Sequence, residues 1–219
     1  MNKKISKINS LIKKKYKYEL LENGFSSKDI AAGRKVLNSK RITMAENTRK
    51  FEDAFAKKIG SKYALMVNSG SSANLLAAFA AGNILRKKRY KIGDEVLIPV
   101  LCWSTSVWPF VQFGLKPVFI DVDKDTLNIS IEDLKKKLTK KTKAIVLINV
   151  LGNCSNLFEI KKIAKKKNII LIEDNCESLG SKLKNKYLGT FGDFSSFSFY
   201  YSHQITSGEG GMVTCNNDE

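Results

Sequence analysis

Ala144-Ile145-Val146-Leu147-Ile148-Asn149-Val150, a basic helical stretch from Asn156 to Lys166, and then Ile169-Ile170-Leu171-Ile172-Glu173-Asp174 form the passage on which the fold turns. Both apolar runs are rich in β-branched residues, and neither alternates with polar ones. A strand of that kind is buried on both faces, and a helix between two such strands is the crossover of a parallel pair. Outward from this unit the alternation continues. Further strands are expected at Tyr63 to Val67, Glu95 to Val100, Pro117 to Val122, Ser195 to Tyr200 and Gly211 to Cys215, with helices at Ser71 to Leu85, Ser104 to Phe113 and Ser130 to Leu138. Two helices precede the first strand. Ser26 and Asp29 have the spacing of a capping box for a helix towards Leu37, and Phe51, Phe55 and Ile59 recur at helical intervals in Glu46 to Ile59. The pattern predicts an α/β, three-layer domain with a mostly parallel sheet.

The 219 residues suit one large domain with an appendage. Residues 1–25 read as a basic N-terminal arm, and no linker or repeat divides 26–219. The end at Asn216-Asn217-Asp218-Glu219 resembles a turn into a helix that does not follow, so a C-terminal portion is expected to be missing. With 43% hydrophobic and 27% charged residues and only three prolines, the chain is neither disordered nor collagen-like. No apolar run approaches the about 20 residues of a membrane helix. The lysine-rich start lacks the apolar core of a signal peptide, which points to the cytoplasm and to four reduced cysteines. The formal net charge of +17 would suit nucleic acid or anionic phosphate compounds. Its lysines, however, cluster at 13–15, 135–137 and 165–167 on helix surfaces or tails, without interleaved aromatics, so a solvated surface is the better reading and no nucleic-acid partner is expected.

Three constellations can carry chemistry. Asn68-Ser69-Gly70-Ser71-Ser72-Ala73-Asn74 follows a strand and opens an apolar helix, an arrangement whose backbone amides suit an anion. A plain Ser-capped turn would have the same sequence. Glu173-Asp174 ends a buried strand, where open α/β sheets bind ligands; a carboxylate there can pair with the cationic ring nitrogen of a pyridoxal-type cofactor or serve as a buried structural acid. The third is Ser196 to Gly211, a strand followed by a polar turn that holds the only histidine, His203, and then a Gly-rich turn. A lone histidine is as readily structural as catalytic.

In this order and spacing, from Gly33 to Thr214, the three pieces resemble the DegT/DnrJ/EryC1/StrS sugar aminotransferase family of fold-type I pyridoxal phosphate enzymes. The resemblance implies that Gly70, Ser71 and Ser72 bind the cofactor phosphate with help from Ser198. It implies that Trp103 stacks on the pyridine ring, although a core role was the other reading, and that Asp174 pairs with the ring nitrogen. Glu177 stands where the family commonly has Gln near the ring hydroxyl. Gly180, Gly189-Thr190-Phe191-Gly192-Asp193 and Gly208-Glu209-Gly210-Gly211 match family landmarks.

His203 departs from the family pattern, because ordinary members carry there the lysine that tethers the cofactor. Lys182, Lys184 and Lys186 precede the Gly189 landmark, so none takes its place. A histidine at this position resembles the 3-dehydratase branch. That branch uses pyridoxamine 5′-phosphate to remove the C3 hydroxyl from nucleotide-linked 4-keto-6-deoxy hexoses for surface polysaccharides, with the histidine as base at the cofactor's C4′ carbon. Imidazole titrates near neutrality, which suits that task. The branch divides into a subtype that takes its amino group from glutamate and one that takes electrons from a partner reductase through a [2Fe-2S] cluster. Cys176, two residues after Asp174, is a possible ligand of such a cluster, and a CDP sugar would accompany it where GDP accompanies glutamate. A homodimer is also implied. The competing expectations are a non-catalytic or regulatory subunit that lost its lysine, and a basic nucleic-acid-binding protein.

Overall fold

The computed structural model describes residues 24–219. The basic arm assigned to 1–25 lies, up to residue 23, outside the described residues. Helices α1 (Ser27–Asn38), α2 (Glu46–Ile59), α3 (Gly70–Ala81), α4 (Trp108–Phe113), α5 (Ile131–Lys137) and α6 (Leu157–Lys167) accompany strands β1 (Tyr63–Val67), β2 (Glu95–Pro99), β3 (Lys116–Ile120), β4 (Thr142–Ile148), β5 (Ile170–Asp174), β8 (Phe194–Ser198) and β9 (Gly211–Cys215). These seven strands make one sheet in the order β1-β9-β8-β5-β4-β2-β3. β9 is antiparallel to both its neighbours and every other pair is parallel, so the expectation of a mostly parallel sheet holds.

The uniform apolarity of β4 and β5 is used on both faces, as their sequences imply. Ala144, Val146, Ile170 and Ile172 pack with Ala73, Ala77, Ala78 and Ala81 of α3. Ile145, Leu147 and Leu171 turn the other way, onto Leu134 of α5 and Leu157, Ile160 and Ala164 of α6. Each such Ile or Leu contributes about 1.5–3 kcal/mol by burial. The alanine stripe of α3 lets that helix lie close to the sheet. A third cluster seats α2 on the β8–β9 side through Phe55 and Ile59 against Phe197, Phe199 and Met212, with the Phe55 and Phe197 rings edge to face at 5.0 Å. The capping box of α1 forms as its spacing predicts: Asp29 N donates to Ser26 Oγ at 3.3 Å and Ser26 N to Asp29 Oδ2 at 2.8 Å.

Three details differ from the sequence reading. α3 stops at Ala81 instead of Leu85, with Gly82 as its C-cap packed closely against the Phe113 and Tyr90 rings, and Ile84 and Leu85 are left exposed. The helix expected from Ser104 is broken into a 3₁₀ turn, Ser104–Ser106, and α4, with Pro109 in the first turn of the latter. A small hairpin of β6 (Lys182–Leu183) and β7 (Lys186–Tyr187) had no apolar alternation to announce it. Among the described residues no helix is long and apolar enough to cross a membrane, and all four cysteines are free thiols.

Candidate active site

A cavity of about 520 Å³ opens at the carboxyl ends of the parallel strands, where α3 begins. Its walls come from five places in the chain. Ser69, Gly70, Ser71 and Asn74 belong to the start of α3; Cys102, Trp103, Thr105 and Ser106 follow β2; Ile148 to Val150 end β4; Asp174, Cys176 and Glu177 end β5; Ser198, Tyr200, Ser202, His203 and Glu209 follow from β8. The topology thus brings together Gly70, Ser71, Trp103, Asp174, Cys176, Glu177, Ser198 and His203, all singled out from sequence. Ser72 stands apart from them, facing an adjacent shallow hollow with Leu75 and Trp108.

The start of α3 is built for close approach. Ser69 caps it, its Oγ accepting from Ser72 N at 3.1 Å, and Ser71 Oγ donates to Thr105 Oγ1 at 3.2 Å. A Cβ at Gly70 would lie 2.7 Å from Cys176 Sγ and 2.7 Å from Ser198 Cβ, so only glycine lets the helix start sit against β8. The first amides of a helix have no intrahelical acceptors, and here they stand beside two serine hydroxyls, a donor set that suits a phosphate.

Asp174 is 6% exposed and held by three donors. Its Oδ2 accepts from Asn74 Nδ2 at 2.8 Å and Ser106 Oγ at 2.7 Å, and its Oδ1 from Cys176 N at 3.1 Å. An acceptor-only group facing the cavity suits a ring N–H. Glu173 points to the opposite face of the sheet and does different work. Its Oε1 accepts from Phe191 N and Gly192 N, both at 2.6 Å, and its Oε2 from Gly189 N at 2.9 Å, which clamps the Gly189 to Gly192 turn. Burial raises the Glu173 carboxyl above the ordinary range, against the pull of those donors. Glu173 is thus the buried structural acid of the pair, and Asp174 is the carboxylate that lines the cavity.

His203 sits in the turn after β8, its N donating to Tyr200 O at 3.1 Å and its ring 6.0 Å from that of Tyr200. Trp103 is 72% exposed at the cavity mouth, which removes the core reading for it. Glu177 Oε2 accepts from Leu151 N at 3.2 Å, and Gln204 Nε2 donates to Glu177 O at 2.7 Å, tying the turn of His203 to the end of β5. Burial, then the nearby Asp174 charge, pushes the Cys176 thiol well above its usual value and raises that of Cys102 as well. Among the described residues no group of three His, Cys, Asp or Glu side chains is placed to hold a metal. Sequence reading gave no role to Asn74, Ser106 or Tyr200. Asn74 did carry a signal, being a polar residue on the stripe that Ala73, Ala77, Ala78 and Ala81 define.

Comparison with known proteins identifies the family and the fold. The model of the DegT/DnrJ/EryC1/StrS aminotransferase family matches residues 25–219. The chain is 47% identical over 202 residues to GDP-4-keto-6-deoxy-D-mannose 3-dehydratase of Escherichia coli O55:H7, covering 92% of this chain and 52% of that protein. It is 43% identical to the enzyme of the same name from Yersinia pseudotuberculosis, covering 92% and 51%. A crystal structure of GDP-4-keto-6-deoxymannose-3-dehydratase with a trapped PLP-glutamate geminal diamine superposes with a TM-score of 0.87 at 46% identity, again covering 92% of this chain and 52% of that one. The chain thus spans about half the length of the curated relatives it matches. It belongs to the DegT/DnrJ/EryC1/StrS aminotransferase family.

Proposed function

We propose that this family member, with pyridoxamine 5′-phosphate in the cavity, removes the C3 hydroxyl from a nucleotide-linked 4-keto-6-deoxy hexose during deoxysugar synthesis. The observation that carries the reading is His203. It lines the cavity with Asp174, and among the described residues no lysine does. A site without an amine cannot tether the cofactor covalently, whereas an imidazole can still move a proton.

The bound cofactor would supply an amine for the C4 ketone and a ring able to accept electrons. The start of α3, with Ser71 and Ser198, binds the phosphate. Trp103 covers the ring at the mouth. Asp174 would accept the ring N–H, Glu177 would stand by the ring hydroxyl, and His203 would serve as the base for the C4′ proton, which offsets the hydroxide lost from C3 so that water is the net product.

We assign GDP as the nucleotide, because both relatives described above carry it in their names at 47% and 43% identity. Glutamate as amino donor follows from the solved relative with its glutamate adduct. In this scheme neither a [2Fe-2S] cluster nor a partner reductase is needed, and Cys176 serves as packing between Gly70 and Asp174. We place the reaction in the cytoplasm, which accords with four free thiols. A second copy of the chain is expected to cover the exposed Leu75, Phe79, Trp108 and Val111 on α3 and α4.

The test is to give the full-length protein GDP-4-keto-6-deoxymannose, pyridoxal 5′-phosphate and glutamate and to follow the sugar by mass spectrometry. A 3-deoxy product is expected. An amino sugar would mean transamination, and an unchanged sugar would favour the non-catalytic subunit.

A further inference from the structure

We propose that Asn74, Ser106 and Ser196 form the positioning set of Asp174, with Ser196 acting through Asn74. The set leaves one lone pair of Asp174 Oδ1 as the acceptor that faces a bound ring nitrogen. This inference rests on the cofactor reading above and deepens it.

The argument is a count of lone pairs. A carboxylate offers about four acceptor positions. Both positions on Oδ2 are taken, by Asn74 Nδ2 at 2.8 Å and Ser106 Oγ at 2.7 Å. One on Oδ1 is taken by Cys176 N at 3.1 Å. The fourth, on a residue that lines the cavity, is shared only with the weakly donating Cys176 thiol. The three donors come from α3, from the 3₁₀ turn after β2 and from the chain just beyond β5, so the carboxylate plane is fixed against three walls of the site.

Asn74 has its own support. Because Asp174 can only accept, the Asn74 amide must present its NH₂ group to it, and its Oδ1 is thereby turned to Ser196, whose Oγ donates to that oxygen. Asn74 is 5% exposed and Ser196 0%, so an amide oxygen without that hydroxyl would find no water in its place. Ser196 itself is not among the residues that line the cavity. Its backbone pairs with Asp174 in the β5–β8 ladder, whereas the Ser196 hydroxyl, the group removed in Ser196→Ala, reaches the Asp174 carboxylate by way of Asn74. The arrangement also links two parts of the ligand, since Asn74 stands on the same helix whose first turn faces the phosphate.

The test uses the full-length protein and pyridoxal 5′-phosphate labelled with ¹⁵N in the ring, whose nitrogen resonance reports protonation and hydrogen bonding at that atom. Asp174→Asn provides the reference signal of a ring nitrogen without its carboxylate. Asn74→Ala is expected to move the resonance most of the way to that reference and to weaken cofactor binding about tenfold. Ser196→Ala should move it part of the way, with about threefold weaker binding. In the double variant Ser196→Ala should add less than about twofold to Asn74→Ala, as expected of residues acting in series. Ser106→Ala should shift the resonance independently, and it carries the test together with Ser196→Ala if Asn74→Ala does not fold. Resonances identical to the parent in Asn74→Ala, Ser196→Ala and Ser106→Ala would overturn the inference, as would full additivity of the Ser196 and Asn74 effects. If Asp174→Asn itself leaves the resonance unchanged, the cofactor reading fails instead.

Discussion

Gly70→Ala is the substitution that most directly tests the cradle at the start of α3. The new Cβ would meet Cys176 Sγ and Ser198 Cβ at 2.7 Å each and Ser198 Oγ at 3.2 Å. Carbon atoms in contact prefer about 3.5–4.0 Å, so close to 1 Å of separation must be found between α3 and β8. Ser198 is 5% exposed on a strand paired with β9, and it cannot retreat without disturbing the ladder. Overpacking of this kind costs about 1–3 kcal/mol, set against a gain of up to about 1 kcal/mol from alanine's better helix propensity. A net loss of about 1–2 kcal/mol follows, which for a chain of this size lowers Tm by about 2–8 °C. Widening the gap also moves the helix amides and the Ser198 hydroxyl apart, so affinity for pyridoxal 5′-phosphate should fall about tenfold or more. Gly33→Ala is the control, because that glycine lies within α1 with nothing within 4 Å of its would-be Cβ. It should raise stability by about 0.5–1 kcal/mol and leave binding unchanged. Thermal unfolding and fluorescence titration with the cofactor read both effects. If Gly70→Ala matches the parent in Tm and in affinity, the close approach of α3 to β8 is not what shapes the site.

His203→Lys should let borohydride reduction of the cofactor-loaded protein label position 203, where the parent yields no labelled lysine, and C3 deoxygenation should drop by about 10²–10⁴-fold; peptide mapping and the sugar assay decide. In the cofactor-free protein Cys176 should resist iodoacetamide at pH 8, because burial and the Asp174 charge disfavour its thiolate, and Asp174→Asn should speed the reaction. Glu173 releases its proton less readily in the folded chain than at its usual value of 4.5, so its contribution to stability is greatest below that value and is lost as pH rises through the raised folded range. Urea midpoints between pH 4 and 7 should show this slope in the parent and lose it in Glu173→Gln, which will be less stable throughout because its NH₂ meets the Gly189 N–H.

The layered sheet was legible because the apolar runs of β2, β4 and β5 admit little else than burial on both faces, and the start of α1 because Ser26 caps where its spacing to Asp29 predicts; Ser69, Ser130 and Asn156 cap three more helix starts. Helix ends were less legible. α3 ends at Gly82, where the Phe113 ring from another helix leaves room only for a glycine, a contact no local pattern encodes. In the site, the residues that face a ligand could be picked out by type and place, as with Asp174 at a strand end and His203 in a turn. Their supports could not. Ser106 and Ser196 are ordinary serines until the fold sets them beside Asp174 and Asn74, and the tie from Gln204 to Glu177 joins positions 27 residues apart.

The roles of Glu173 and Asp174 depend on strand register, and the register has an identifiable cause. Side chains alternate along β5, so Ile170, Ile172 and Asp174 share the face of α3, while Leu171 and Glu173 share that of α6. A slip by one residue would bring Glu173 into the place of Asp174 in the cavity and Ile172 into the place of Glu173 at the Gly189 to Gly192 turn. In a strand apolar on both faces, exchanging Ile170 and Ile172 with Leu171 costs little, so hydrophobic burial by itself selects the register weakly. The polar ends select it. The reach of a glutamate matches the three backbone N–H groups of Gly189, Phe191 and Gly192, and the shorter aspartate matches Asn74 and Ser106. Exchanging the two would leave buried donors unmet on both faces, at about 1–3 kcal/mol each. The pairing of Glu173 with Ser195 and Asp174 with Ser196 across β8 is therefore fixed by the same hydrogen bonds that orient the site.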